Sequence, residues 1–98
     1  MNYFYILRCG DDSLYCGHTN DLKRRIKEHN SDSNKSAKYT RSRQPTYLVY
    51  KEDFPSLQLA MKREFQVKRW SKSKKEALIS GNIDLLKSLS KKNLVKKL

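Results

Sequence analysis

The chain is expected to be an α+β domain, with a small three-stranded antiparallel sheet flanked by helices in the order β-β-α-β-α-α and one more helix at the C-terminus. Three observations predict it. Two short aromatic and aliphatic runs flank a Gly-Asp-Asp turn near the N-terminus, a third such run occurs at 47–50, and elsewhere apolar residues return at helical spacing. The 98 residues suit one domain with a modest core.

Asn2 to Arg8 (NYFYILR) reads as the first strand, and Ser13 to His18 as the second. Gly10, Asp11 and Asp12 supply the turn between them. Thr19 or Asn20 is expected to cap a helix from about Asp21 to Asn30 (DLKRRIKEHN), with Asp21 complementing its positive end. The next stretch, to Gln44, is polar and basic with almost nothing to bury, and reads as a long functional loop. Tyr47 to Tyr50 (YLVY) is the third strand. Phe54-Pro55-Ser56 then opens a helix reaching about Trp70, with Ser56 as cap. Ser71 to Ser80 forms a further helix, stopped by Gly81 where a left-handed residue is favoured. The Lys-rich tail carries enough Ile, Leu and Val for one last amphipathic helix.

No apolar run approaches the roughly 18 residues of a membrane span, and the N-terminus lacks the marks of a signal peptide. A cytoplasmic, intracellular protein with no membrane contact is expected. Cys9 and Cys16 are too few for a disulfide framework and lack metal-ligand spacing, so they read as buried, reduced thiols. Net charge is +12, divided as +3 over residues 1–60 and +9 over residues 61–98. Such a field attracts polyanions, nucleic acid before an anionic membrane.

The informative residues are ionisable groups on faces that should be apolar. On a helical wheel with Leu22 at zero, Arg25 falls at about 300°, Ile26 at about 40° and His29 at about 340°. In the helix after Ser56, with Leu57 at zero, Ala60 falls at about 300°, Met61 at about 40°, Glu64 at about 340° and Lys68 at about 20°. Lys62, Arg63, Gln66 and Arg69 take the outer face. Arg25, His29 and Glu64 therefore turn inward, which fits an Arg25–Glu64 bridge between helices and an active-site cleft equally well. Taken singly, His29 also fits a satisfied core histidine, and Tyr3, Tyr5 and Tyr15 fit strand packing.

The order of these residues separates the readings. Tyr3-Phe4-Tyr5 is followed by Tyr15-Cys16-Gly17 ten residues beyond Tyr5, and by Arg25 ten residues further on. With "DLKRRIKEHN", "AKYTR" before Gln44-Pro45, and "LAMKREFQVKRW", the chain resembles the GIY-YIG nuclease superfamily over nearly its first 80 residues. It is most similar to the superfamily's small stand-alone proteins. It is also similar to the nuclease domain of structure-specific junction and flap endonucleases and, more distantly, to that of the excision-repair incision subunit. Tyr3 stands where the family has Gly, and Cys16 where it has Ile.

The resemblance implies a metal-dependent endonuclease that hydrolyses DNA phosphodiester bonds, structure-specific and linked to repair or recombination. It implies a catalytic set of Tyr5, Tyr15, Arg25, His29 and Glu64, with Glu64 holding one divalent ion, Mg²⁺ or Mn²⁺. Arg25 would bind the phosphate. Tyr15, its pKa depressed by Arg25 and the metal, would prepare the attacking water with Tyr5 and His29 assisting. Asn82 is a loose match to a family asparagine. Lys35, Lys38, Arg41, Arg43 and Lys68 are candidates for tracking the DNA backbone. Residues 1–80 would form the nuclease domain and 81–98 a Lys-rich helical extension, the expected contact for a protein partner or a second copy. The alternative is a non-catalytic nucleic-acid-binding module of the same fold.

Overall fold

The computed structural model describes residues 1–31 and 37–97, the last seven by their backbone alone. They cluster in two compact units, residues 1–68 and the segment from Arg69 onward. The first contains β1 (Asn2–Arg8), β2 (Leu14–Thr19), α1 (Leu22–His29), α2 (Lys38–Arg41), β3 (Tyr47–Phe54) and α3 (Leu57–Val67). The second contains α4 (Lys72–Ser80) and α5 (Ile83–Lys97). The fold is the expected α+β arrangement, an antiparallel sheet of order β2-β1-β3 flanked by helices.

The central strand explains why its sequence is continuously apolar. Phe4, Tyr5, Ile6 and Leu7 are all buried, because both faces of β1 are covered. In an antiparallel pair, opposed residues share a face. Tyr5 opposes Gly17 and Leu7 opposes Tyr15 on one face; Phe4 opposes His18 and Glu52, and Ile6 opposes Cys16 and Tyr50, on the other. Contacts to α1 and α2 lie on the Tyr5 face, and contacts to α3 on the His18 face. Cys9 and Cys16 are both buried and are not joined in a disulfide.

Several expected boundaries shift, each for a local reason. The cap of α1 is Asp21, not Thr19 or Asn20: its carboxylate accepts from the Arg24 amide at 3.1 Å, while the Thr19 hydroxyl accepts from the Asp21 amide just upstream. The long loop contains α2, which Gln44 and Asn30 help to anchor. Gln44 donates to the carbonyls of His29 (3.0 Å) and Ser31 (2.7 Å), and Asn30 accepts from the Thr46 amide at 2.7 Å. β3 runs four residues beyond Tyr50, because Lys51-Glu52-Asp53 pairs with β1 as far as Asn2↔Phe54. Its polar side chains find partners there, Lys51 with Asp53 and Glu52 with Arg63.

The inward face of α3 is rotated from the expected one. Leu57 and Met61 are 46% and 47% exposed and Lys68 is exposed, whereas Ala60 and Val67 are buried and Arg63 and Glu64 half-buried. Arg63, expected outside, forks onto Glu52 at 3.0 and 3.1 Å, and Glu52 also accepts from the Tyr50 hydroxyl at 2.5 Å. The small Ala60 and Val67 allow a close approach, and His18 and Glu52 offer polar partners to exactly the two residues turned toward them. Burial and the adjacent Glu52 carboxylate raise the Tyr50 pKa to about 12, so the cluster keeps a neutral phenol.

In the second unit, Ser71 caps α4 by accepting from the Lys74 amide, and Gly81 ends it at φ 71°. Asn82 caps α5, its side-chain oxygen accepting from the Leu85 amide at 3.1 Å. Because an added Cβ on Gly81 would meet nothing within 4 Å, its substitution isolates backbone strain. Gly81→Ala should loosen the end of α4 by about 1 kcal/mol, roughly a fivefold rise in local amide exchange, with Gly81→Asn intermediate. Hydrogen exchange across residues 77–82 measures it.

Candidate active site

Tyr5 reaches its position because β2 carries no side chain opposite it. Its ring lies across Gly17, where an added Cβ would fall 2.5 Å from the hydroxyl and 2.6 Å from Cζ. The third residue of Tyr15-Cys16-Gly17 is therefore glycine for space, with no left-handed backbone involved. Beyond Gly17 the Tyr5 hydroxyl meets His29 Nε2 at 2.8 Å, and His29 Nδ1 meets the Thr40 hydroxyl at 2.7 Å. His29 and Thr40 are fully buried. Tyr15 lies beside this chain, its ring 5.1 Å from that of His29 and stacked at 5.8 Å on Tyr39.

Arg25 projects from α1 toward the tyrosines, its guanidinium reaching both the Tyr5 and Tyr15 hydroxyls. Glu28, three residues further along α1, is half-buried and holds Arg25 at 2.8 Å. Burial works against the arginine's charge, but Glu28 and Tyr5 outweigh it and raise its pKa. Glu64 arrives from the opposite face of the sheet. One carboxylate oxygen lies 2.7 Å from His18 Nδ1 and the other 3.9 Å from the Lys68 ammonium. Glu64 and Arg25 both act electrostatically on Tyr5 and Tyr15, on and beside the edge strand β2.

The tyrosines are not poised as phenolates. Burial raises the Tyr5 pKa well above the usual phenol value, helped by the neighbouring Tyr15 and opposed by Arg25. Burial also raises that of Tyr15 against the pull of Arg25. The depression expected for Tyr15 invokes Arg25 together with a metal; of the chain's own groups, Arg25 pulls its pKa down but burial outweighs it. Burial, with Arg25 nearby, lowers the His29 pKa to about 4, so the ring is neutral at pH 7.

His18 and Thr40 are the site residues that sequence reasoning missed. His18 occupies a strand position without helical periodicity, and Thr40 lay within the presumed loop. Among the basic candidates, Lys38 and Arg41 are exposed at the ends of α2. Arg43 is held in the fold: it pairs with Asp11 at 3.1 Å, donates to the Tyr39 carbonyl at 2.9 Å and lies 4.0 Å over the Tyr39 ring. Lys68 is exposed beside Glu64. Lys35 lies outside the described residues.

The family model of the GIY-YIG catalytic domain matches residues 1–77. The chain belongs to the GIY-YIG family. It is 45% identical over 98 residues to a UPF0213 protein of Clostridium perfringens, covering 100% of this chain and 98% of that one. It is 49% identical over 78 residues to a UPF0213 protein of Bacillus pumilus, covering 80% and 78%. The solution NMR structure of the UPF0213 protein BH0048 from Bacillus halodurans matches with a TM-score of 0.52 at 53% identity, covering 82% of this chain and 84% of that one. GIY-YIG domains are typically nucleases that use divalent metals. Their Gly and Ile positions, here Tyr3 and Cys16, lie outside the cluster of polar groups: Tyr3 is half-buried with the Lys51 ammonium 5.4 Å from its ring, and Cys16 is buried on the α3 face.

Neutral His29 makes stability depend on pH with a defined sign. Its folded pKa is depressed, so the unfolded chain binds a proton that the native protein does not, and stability falls as pH drops from about 6.5 toward 4. The contribution at pH 5 is about 2 kcal/mol. Urea unfolding at pH 7.5 and 5 should show this loss in the wild type and a shallower one in His29→Gln, the difference separating His29 from the carboxylates.

Proposed function

We propose that the protein is a divalent-metal-dependent endonuclease that hydrolyses phosphodiester bonds of DNA. The observation that carries the reading is the meeting of Tyr5, Tyr15, Arg25 and Glu64 beside one edge strand, with Tyr5 hydrogen-bonded to a neutral histidine. A binding module would need the charge and not this arrangement. A role on branched or flapped DNA in repair or recombination is the finer proposal.

The donor set fits one hard cation. Among the described residues, no group of three His, Cys, Asp or Glu could hold a metal, which disfavours an all-protein cage. Glu64 supplies one carboxylate, oriented through His18, and Mg²⁺ accepts such a site when water and substrate phosphate complete its shell. A cation on Glu64 would polarise the phosphate and stabilise the departing 3′ oxygen.

The chain's own groups divide the remaining work. Arg25, half-buried and held by Glu28, presents a planar donor fork to phosphate oxygens, where charge grows during attack. Neutral Tyr5 can take a proton from water only by passing its own hydrogen on, and His29 Nε2 is positioned to accept it. In that relay a water O–H bond breaks as a Tyr5 O–H bond forms, the original Tyr5 O–H breaks as His29 Nε2–H forms, and hydroxide attacks phosphorus. Tyr15 orients the water beside Arg25. Lys38, Arg41 and Lys68, all exposed, would track the backbone, each by a contact that salt weakens. No helix among the described residues is long and apolar enough to cross a membrane.

Two predictions test the site. With Mg²⁺ or Mn²⁺ present and EDTA as control, Glu64→Gln and Arg25→Lys should each lower cleavage of labelled duplex, flap or four-way-junction DNA by roughly a hundredfold or more while binding persists. Wild-type protein that binds every substrate and cuts none, with either metal, would make it a binding module. Gly17→Ala should displace the Tyr5 ring and lower cleavage comparably, with a visible change in the near-ultraviolet tyrosine signal.

A further inference from the structure

The polar chain behind Tyr5 has a direction that donor and acceptor bookkeeping determines. The Thr40 hydroxyl donates to the Ala37 carbonyl at 3.1 Å, closing a side-chain turn at the start of α2. A hydroxyl has one hydrogen, so toward His29 Nδ1, 2.7 Å away, Thr40 can only accept. His29 Nδ1 must then carry the ring's hydrogen, because the neutral imidazole has only one. Nε2 is left with a lone pair, and the Tyr5 hydroxyl at 2.8 Å must donate to it. The Tyr5 oxygen consequently turns its lone pair, and no hydrogen, toward Arg25.

We infer that Thr40 is a positioning residue that holds His29 in the Nδ1–H tautomer and thereby sets the direction of the Tyr5 hydroxyl. Its hydroxyl touches neither substrate nor the reacting atoms; it acts through the ring. Reversing the tautomer would put a hydrogen on Nε2, turn Tyr5 into an acceptor from histidine and leave its own hydrogen facing the Arg25 guanidinium, donor against donor. That arrangement cannot accept a proton from water and pass one back to His29. Burial narrows the alternatives, since neither Thr40 nor His29 has solvent to offer another partner.

The placement of Thr40 extends the consequence to α2. The same four-residue helix carries Lys38 and Arg41, and Tyr39 between them stacks on Tyr15. Whatever docks α2 against α1 therefore also orients both motif tyrosines.

The effect on catalysis rests on the nuclease reading, but the tautomer can be read without substrate. Long-range ¹H–¹⁵N NMR of the His29 ring in the full-length protein should show a protonated Nδ1 and an unprotonated Nε2. Thr40→Val, which keeps the shape and removes the acceptor, should shift the ring toward Nε2–H and lower kcat roughly a hundredfold with DNA binding unchanged. Thr40→Ser should restore both the ring signature and kcat. Wild-type His29 protonated on Nε2 would overturn the assignment, a result that stands even if Thr40→Val fails to fold. So would a Thr40→Val protein that keeps the Nδ1–H ring, or a Thr40→Ser protein indistinguishable from it. If the ring behaves as expected but wild-type protein cuts no DNA, the positioning role holds and the nuclease reading falls.

Discussion

The structure of the first unit depends on a buried run of hydrogen bonds from the Ala37 carbonyl through Thr40 and His29 to Tyr5. Hydrogen bonds of this kind add modestly to stability, but an unmade one in a dry interior costs about 1–3 kcal/mol. The chain is fully paired, as are the other buried side-chain polar atoms among the described residues. Its geometric effect is larger than its energetic one. It ties the central strand to the end of α1 and ties α1 to the segment that follows, which otherwise has little apolar surface to hold it. Gln44 and Asn30 add to the same junction from the other side.

Around that run, charge is arranged by burial as much as by sequence. The chain carries 22 basic residues, yet the groups nearest the motif tyrosines are one arginine restrained by Glu28 and one glutamate restrained by His18. Each is half-buried, so its field is screened less than that of the exposed lysines. Elsewhere, basic side chains serve the fold: Arg63 neutralises Glu52 beneath the sheet, and Arg43 links Asp11 in the hairpin turn to Tyr39 on α2. Basic residues therefore differ in role according to whether a carboxylate faces them.

The GIY-YIG family model spans residues 1–77, the stretch that holds Tyr5, Tyr15, Arg25 and Glu64. The geometry adds why the motif has its form. An edge strand with a glycine at its centre lets the tyrosine of the neighbouring strand lie across it, and the same edge is where residues from both sheet faces can meet. Tyr3 and Cys16 differ from the family pattern without disturbing this, because neither position belongs to that meeting point.

The sequence by itself determined β1, β2, the start of β3, the helices other than α2, and the inward direction of Arg25 and His29, since these follow from local periodicity, capping and turn chemistry that neighbouring residues settle among themselves. Ser56, Ser71 and Gly81 act at the helix ends where their side chains or backbone freedom place them. The resemblance likewise picked out five residues that are far apart in the chain. What only tertiary structure decided involves pairs with no local signature. The inward face of α3 was chosen by Glu52 and His18, 11 and 46 residues from their partners. The extension of β3 through charged residues was chosen by β1, and the helix within the supposed loop by its anchorage to α1. The protonation state of the tyrosines was decided there too, because periodicity reveals which charges are near but not how much water is excluded, and here desolvation outweighs Arg25.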